Sequence, residues 1–446
     1  MKWRPSGSFQ VGRASLKLVI AVVVGLLLIA VLESWAKALI PLAVNTKWSK
    51  PVPMGNVNFL CHWNGSAVAI GSGGVFRILN EVGQWEEKTV AELEPAENGS
   101  CLPVVVDPQG PDAVFLDTRF SNKVEAIQSF VPVTMTLQKR PLAGRKIPLQ
   151  ADADALFGKV PETAGFKREV HLFCGEGFVD GSEFYVPCAA YSDDVTERIT
   201  STGTHQKGSQ PGPSQRGLFW SKDRGQSWQM VLLPQLSVAG QGAMCRVGNT
   251  VCYLAADFSH NLWVLTKVVG STNWSQPTLL CDTLKMGGTF QAESADGTLH
   301  LCWMDMRLKK GLGFFIHGDW DIGRKNNQVY YRNYREKDGK WSKGIKLSGS
   351  LSYCEHPSMS VEGDRIVVVW HNLGEKRGTT GRPSPYTSAA IYYATSKNAG
   401  RTWSSPMKIE HSEDSAGSLP CPQVILYQKV IHVFYNGMYQ RRDFPE

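Results

Sequence analysis

The sequence predicts an all-β protein, a six-bladed β-propeller preceded by one N-terminal hydrophobic helix. Three observations carry this. An uninterrupted apolar run, Leu18 to Leu32, stands near the start. After residue 55 the chain consists of short β-rich runs separated by Gly, Asn, Asp and Pro. Two sequence tags then recur along that region at intervals of about 45 to 70 residues, the length of one four-stranded unit with a variable loop. The division is therefore a basic segment over 1–17, the hydrophobic segment over 18–40, a linker over 41–54 and the propeller over 55–446.

Composition supports a globular body. Of 446 residues, 42% are hydrophobic and 20% charged, which excludes disorder and collagen-like fibre for the bulk of the chain. The net charge is +7, but Lys2, Arg4, Arg13 and Lys17 all precede the first acid, Glu33. That leaves about +3 on everything else. A nucleic-acid binder keeps its basic excess in a folded patch, so nucleic acid is not expected as a partner.

Leu18 to Leu32 is preceded by Lys17 and ended by Glu33. Roughly fifteen residues rising about 1.5 Å each fall short of a hydrocarbon core of about 30 Å. Extension through Trp35 and Ala38–Ile40 completes a span. Ser34-Trp35-Ala36 and Ala36-Lys37-Ala38 also resemble signal-peptide cleavage sites. The segment thus fits a single-pass membrane anchor or a cleaved signal, with a buried core helix as the third possibility. The first two put the propeller outside the cytoplasm, attached to the membrane or else secreted or periplasmic.

Ten cysteines suit an oxidising compartment. Cys245 and Cys252 flank a Gly248-Asn249 turn, and a two-residue hairpin there places them opposite each other, at a spacing a disulfide tolerates. Two buried thiols are the other outcome. No Cys/His spacing matches a zinc site, and no phosphate-binding glycine loop, dinucleotide motif or nucleophile elbow is present, so neither a metal nor a cofactor is expected.

The first tag is a turn. Ser221-Lys-Asp-Arg-Gly-Gln-Ser-Trp228 and Ser396-Lys-Asn-Ala-Gly-Arg-Thr-Trp403 share Ser, Asp/Asn, Gly and Trp at the same offsets. The short polar side chain bonds the turn backbone, Gly supplies positive φ, and Trp packs under the hairpin. Weaker copies surround Trp85, Trp274 and Trp341. A unit near residue 140 without tryptophan brings the count to six. Val424 to Tyr435 then supplies two strands that pair with those of residues 56–90 and close the ring. The second tag is a strand end. Phe115-Leu-Asp117-Thr-Arg119 matches Trp303-Met-Asp305-Met-Arg307, with eroded copies ending at Asp257, Asn372 and Asn436. A bulky residue followed two positions on by Asp or Asn keeps both on one strand face.

The turn tag resembles the Asp-box of sialidases and related proteins, and the resemblance covers roughly residues 55–440. It implies a sialidase-like propeller with Asp-boxes on outer turns, away from the central site. In sialidases a Phe-Arg-Ile-Pro motif begins the arginine triad that grips the substrate carboxylate. The segment in that place here is Ser100-Cys-Leu-Pro103, so Cys101 replaces the arginine. Phe76-Arg77-Ile-Leu79 is a second candidate, but lies just before the Trp85 turn and reads as a third strand. Leu419-Pro-Cys-Pro-Gln423 holds no tyrosine where the family places its nucleophile. Arg119 is retained, and Glu125 falls about where the family places its acid/base.

Two functions follow. One is glycan recognition without orthodox sialidase catalysis. The other is glycoside hydrolysis, either by a divergent exo-sialidase or by paired carboxyls, which glycoside hydrolysis in general needs about 5–9.5 Å apart. Glu125 and Asp117 are the candidate catalytic pair, and Arg119, Asp305, Arg307 and Glu355 the candidate substrate-binding residues. The strand-end acids can equally bond their own loops. Whether the chain is an enzyme is open at this point; glycans or glycoconjugates are the expected partners, with the membrane reached through the N-terminal segment. The aromatic and acidic insertion 311–323 is a further candidate glycan loop. Thr200 to Gln215, rich in Gly, Ser, Pro and Gln, reads as a loop without chemistry.

Overall fold

A computed structural model describes residues 47–445, apart from 55–56, 72–74, 90–98, 111, 121–125, 136–140, 143–146, 149–166, 176, 200–204, 234–241, 257–260, 272, 282–289, 307–326, 352, 373–389, 411 and 413–420. For strand residues 99–104 and 115–120 it describes backbone pairing alone. The hydrophobic segment 18–40 lies outside the described residues. Among those described, no helix is long and apolar enough to cross a membrane.

The described strands form seven antiparallel sheets, each four- or five-stranded. Sheet 1 runs from Val57–Trp63 to Trp85–Thr89 and sheet 2 from Gly99–Val106 to Ile147–Pro148. Sheet 3 runs from Lys167–Cys174 to Gln229–Leu232, sheet 4 from Gly242–Val247 to Thr278–Cys281, and sheet 5 from Phe290–Ala295 to Ile345–Lys346. Sheet 6 runs from Cys354–Glu362 to Met407–Lys408. Sheet 7 takes Gln423–Tyr427, Val430–Tyr435 and Met438–Asp443 from the C-terminal region and Val52–Pro53 from the other end of the chain.

Burial shows how the sheets join. A strand carries side chains on alternate faces, so a sheet buried on both faces needs apolar residues at successive positions. Arg365–Asn372, with Ile366 through Trp370 fully buried, shows this. Each hydrophobic cluster lies between two successive sheets. Trp63 and Phe76 meet Ala113 between sheets 1 and 2, and Val114 meets Phe184 and Phe219 between 2 and 3. Tyr185 meets Tyr253, Leu254 meets Trp303, Tyr331 meets Trp370 and Ile391 meets Val433. Phe434 and Ile425 meet Leu60 and Ala69, returning from sheet 7 to sheet 1. Among the described residues the cycle is closed, which makes the all-β body a propeller.

The expected six units are sheets 1 to 6, and the seventh corrects the count. Val424–Tyr435 does not pair with residues 56–90, which make a complete sheet of their own. It pairs instead with Met438–Asp443, where Val52 lies opposite Tyr439 and Pro53 opposite Met438. This sheet has no turn tag because its fourth strand arrives from the other end of the chain. Ser49 N–H donates to the Arg441 carbonyl at 2.9 Å, Gln440 Nε2 donates to the Ser49 carbonyl at 2.7 Å, and Trp48 packs edge-on against Tyr393 of sheet 6. Asn436 is no strand end, since with Gly437 it makes the hairpin turn, both at positive φ.

Two more expectations are corrected. Residues 205–215 are not a loop but part of the strand His205–Ser221, which pairs with Glu183–Ile199 from Ile199↔His205 onward. The low β-propensity of this stretch is overridden by its partner, and the register shift falls between Tyr191 and Asp193, opposite Gly212-Pro213. Cys245 does lie opposite Cys252, but both are thiols. The two-residue turn makes theirs a hydrogen-bonded cross-strand pair. A hydrogen bond with Cys252, then burial, pushes the Cys245 thiol well above its usual range.

Candidate functional site

In each sheet the first strand runs towards a short hairpin and the second returns. The third runs the same way as the first and, in sheets 1, 3, 4, 5 and 6, leads to the turn that carries the tag tryptophan. The hairpins and turn tags therefore share one end of the sheets, the turn end. The second-to-third and sheet-to-sheet connections share the other, the connection end.

At the turn end the two complete tags fold alike. Ser221 Oγ accepts from Gly225 N–H at 2.7 Å, and Ser396 Oγ from Gly400 N–H at 2.9 Å. Asp223 Oδ1 accepts from Ser227 N–H at 2.8 Å, and Asn398 Oδ1 from Thr402 N–H at 2.9 Å. Trp228 and Trp403 donate to the Gly225 and Gly400 carbonyls. Asn serves as well as Asp because both offer the same acceptor oxygen. Burial works against the Asp223 carboxylate, but hydrogen bonds from Ser227 and Ser221 outweigh it and hold its pKa below the usual value.

Two histidines that sequence reasoning missed stand near this end. His300 Nδ1 meets the Tyr331 hydroxyl and His432 Nδ1 the Tyr439 hydroxyl, each at 2.7 Å. Each histidine is on a second strand and each tyrosine on the third, two residues before the histidine's direct partner. The next sheet's tag tryptophan packs edge-on against the tyrosine: Trp403 on Tyr331, Trp85 on Tyr439. Burial lowers His300 to about 4, with Arg335 adding to it, and His432 to about 3, with Arg441 adding.

First strands of sheets 1, 2, 5, 6 and 7, with Gly177 of sheet 3, line a central cavity of about 190 Å³. This is smaller than the roughly 300–1,000 Å³ of ligand pockets. Its wall is tied from sheet to sheet: Gln291 Oε1 accepts from Met359 N–H at 2.6 Å, and Ser360 Oγ from Leu426 N–H at 2.9 Å.

Of the candidate residues, Asp117, Arg119, Asp305 and Glu355 stand on the connection-end halves of their strands. Asp117 and Arg119 stand on the second strand of sheet 2, opposite Cys101 and Gly99 of the first. Glu125, Arg307 and the insertion 311–323 lie outside the described residues. Asp305, fully buried, ends the second strand of sheet 5. Glu355, 4% exposed, opens the first strand of sheet 6 and accepts from Asn327 Nδ2 at 2.8 Å. Asp305 and Glu355 are not brought to one face. Asp305 shares the parity of Trp303, which packs on sheet 4, whereas Asn327 shares that of Val329 and Tyr331, which pack on sheet 6. Trp370 likewise faces the preceding sheet, so the bulky–x–Asp/Asn tag marks one strand face in sheets 5 and 6.

Glu355 sits where three sheets approach. Asn327 belongs to sheet 5, His371 is its cross-strand partner in sheet 6, and exposed Cys421 precedes sheet 7. Burial, then the Glu355 charge, raises the Cys421 thiol above its usual pKa. Tyr353 and His356, on either side of Cys354-Glu355, hold φ of 57° and 50°, a conformation that costs a non-glycine residue about 1–2 kcal/mol. Asn327 was not foreseen, because Asn326-Asn327-Gln328 at the start of a strand matches no motif. Among the described residues no three His, Cys, Asp or Glu side chains converge as a metal site.

Arg77, the alternative to Cys101, lies on the third strand of sheet 1, between Ala69 and Glu87. Its guanidinium pairs with Glu87 at 2.9 Å, on the outermost strand.

Neither a family model nor a curated protein sequence matches the chain. Among solved structures, NanB with Optactamide is 9% identical, with 90% of this chain and 94% of that one covered and a TM-score of 0.42. The WD40 domain of SCAP from fission yeast is 8% identical, with 89% and 98% covered and a TM-score of 0.38. The β-propeller domain of the Trilobed protease from Pyrococcus furiosus is 8% identical, with 76% and 79% covered and a TM-score of 0.37. These likenesses concern the propeller fold and not the chemistry at the connection end.

Proposed function

We propose that this chain is a sialidase-like propeller that recognises glycans outside the cytoplasm and does not carry out orthodox sialidase hydrolysis. The observation that carries the reading is Arg77. It is the alternative source of the cation that Cys101 replaces, and it is ion-paired to Glu87 on the outer strands rather than placed at the axis. A carboxylate grip needs fixed, bidentate cations, and an arginine on a third strand cannot supply one. Asp305 and Glu355, two of the candidate substrate-binding residues, stand on different sheet faces. The basic segment and apolar run at 1–40 support a location across or beyond a membrane.

The test is a glycan array read beside a panel of fluorogenic glycosides, sialosides included. Binding without turnover is expected. Turnover that disappears in Glu125→Gln or Asp117→Asn would establish a hydrolase instead.

A further inference from the structure

The central cavity of about 190 Å³ reaches solvent at the turn end, where exposed Pro108, in the first hairpin of sheet 2, lines it. Half-buried His62 of sheet 1 and Gln291 and Glu293 of sheet 5 line it as well. Its size limits the occupant. A cavity of about 150 Å³ holds one benzene ring, so this one holds a single six-membered ring with small substituents and no longer chain. Its polar groups say which ring. Gln291 Oε1 accepts from Met359 N–H at 2.6 Å, which leaves the Nε2 amide as a donor. The His62 ring donates to the Leu426 carbonyl, and burial lowers its pKa against the opposing effects of the Glu362 charge and of that bond. A neutral imidazole with its N–H so engaged presents the other nitrogen as an acceptor. Among the described residues lining the cavity there is no lysine or arginine, and Glu293 is present, so the wall offers no cation to a ligand carboxylate.

We infer that the central cavity takes one neutral terminal sugar ring from the turn end, with Gln291 Nε2 donating to one hydroxyl and His62 accepting from another. The inference rests on the glycan-recognition reading and names its site and its sugar class. Hydroxyls are the matching chemistry because each both donates and accepts, and the wall holds a donor on sheet 5 and an acceptor on sheet 1. The rest of the glycan stays outside, so it is the end of a chain that is recognised. Asp117, Arg119, Asp305 and Glu355 do not line this cavity.

The test uses the full chain and calorimetric titration with the methyl glycosides of glucose, galactose, mannose, N-acetylglucosamine and sialic acid, the neutral ones with their monodeoxy analogues. A neutral glycoside should bind and the sialoside should not. Pro108→Trp, which plugs the mouth from an exposed turn, should weaken binding at least about tenfold. Gln291→Met should weaken it about tenfold, and one deoxy analogue should bind wild type equally weakly. For that analogue the substitution should cost nothing further, so the two losses are coupled. Gln291 also braces the wall, so Ser358→Ala is the control. It removes a bond of the same kind, from Val424 N–H to Ser358 Oγ at 3.2 Å, at a residue that does not line the cavity, and should bind as wild type does. Thermal melting of each variant checks that it folds. A glycoside bound equally by wild type, Pro108→Trp and Gln291→Met would overturn the inference while glycan recognition stands. Equal losses on every analogue in Gln291→Met, or a sialoside bound in preference to the neutral sugars, would do the same. No binding to any glycoside would overturn both.

Discussion

The two ends of the sheets are built on different principles. At the turn end one solution recurs, and the bonds of Ser221, Asp223 and Trp228 are reproduced by Ser396, Asn398 and Trp403. The His–Tyr pairs of sheets 5 and 7 repeat in the same way, down to the tryptophan that packs on each tyrosine. At the connection end nothing repeats so closely. The strand-end position holds Asp117, Asp305 or Asn372, and the Asn327–Glu355 pair occurs once among the described residues. The repeated features serve packing between neighbouring sheets, and the Asn327–Glu355 pair is not among them.

Substitutions in the turn tags should break stability and leave binding alone. The largest effect is expected at Gly400. Its φ of 77° disfavours any side chain, and an added Cβ would overlap the Tyr331 hydroxyl. Gly400→Ala should cost about 2–5 kcal/mol, strain and overpacking together. Gly225 has the same conformation, but its Cβ would meet Val114 Cγ2 at 3.2 Å, so Gly225→Ala should cost only about 1–2 kcal/mol. Urea unfolding of both variants measures the difference, and equal losses would show that the two tags are not distinguished by their neighbours. Ser396→Ala, which leaves the Gly400 N–H without its acceptor, should cost about 1–2 kcal/mol by the same assay.

The histidines give the turn end a pH signature. His300 and His432 have folded-state values depressed to about 4 and about 3 by burial. The unfolded chain takes up protons near the ordinary histidine value of about 6.5, and the folded one does not. Stability should therefore be full above about 6.5 and fall as the pH drops towards 4, with the unfolded state binding more protons throughout that window. His300→Gln should make the fall shallower. A urea midpoint independent of pH across the window would contradict this.

The sequence made the turn end legible because its chemistry is local. Ser, Asp or Asn, Gly and Trp act within eight consecutive residues, so the tag carries its whole hydrogen-bond pattern. The bulky–x–Asp tag gave the right strand face in sheets 5 and 6, because side-chain alternation needs no knowledge of the partner. Long-range facts were not legible. Sheet 7 joins residues 52–53 to 438–443, and no local pattern announces that pairing. His300 meets Tyr331 across the separation set by the connection 307–326, and Asn327 meets Glu355 between sheets. Strand 205–221 was hidden by its Gly and Pro content, which its long partner overrides.

Asn327→Leu should cost about 1–3 kcal/mol in urea unfolding, because it takes the Nδ2 donor away from the buried Glu355 carboxylate. The measurement that tests the central claim most directly sets Gln291→Met beside Ser396→Ala on one glycan array with wild type. Binding weakened about tenfold by Gln291→Met and unchanged by Ser396→Ala would place recognition at the central cavity and structure in the turn tags. Binding lost in Ser396→Ala protein shown to be folded, and kept in Gln291→Met, would reverse that assignment.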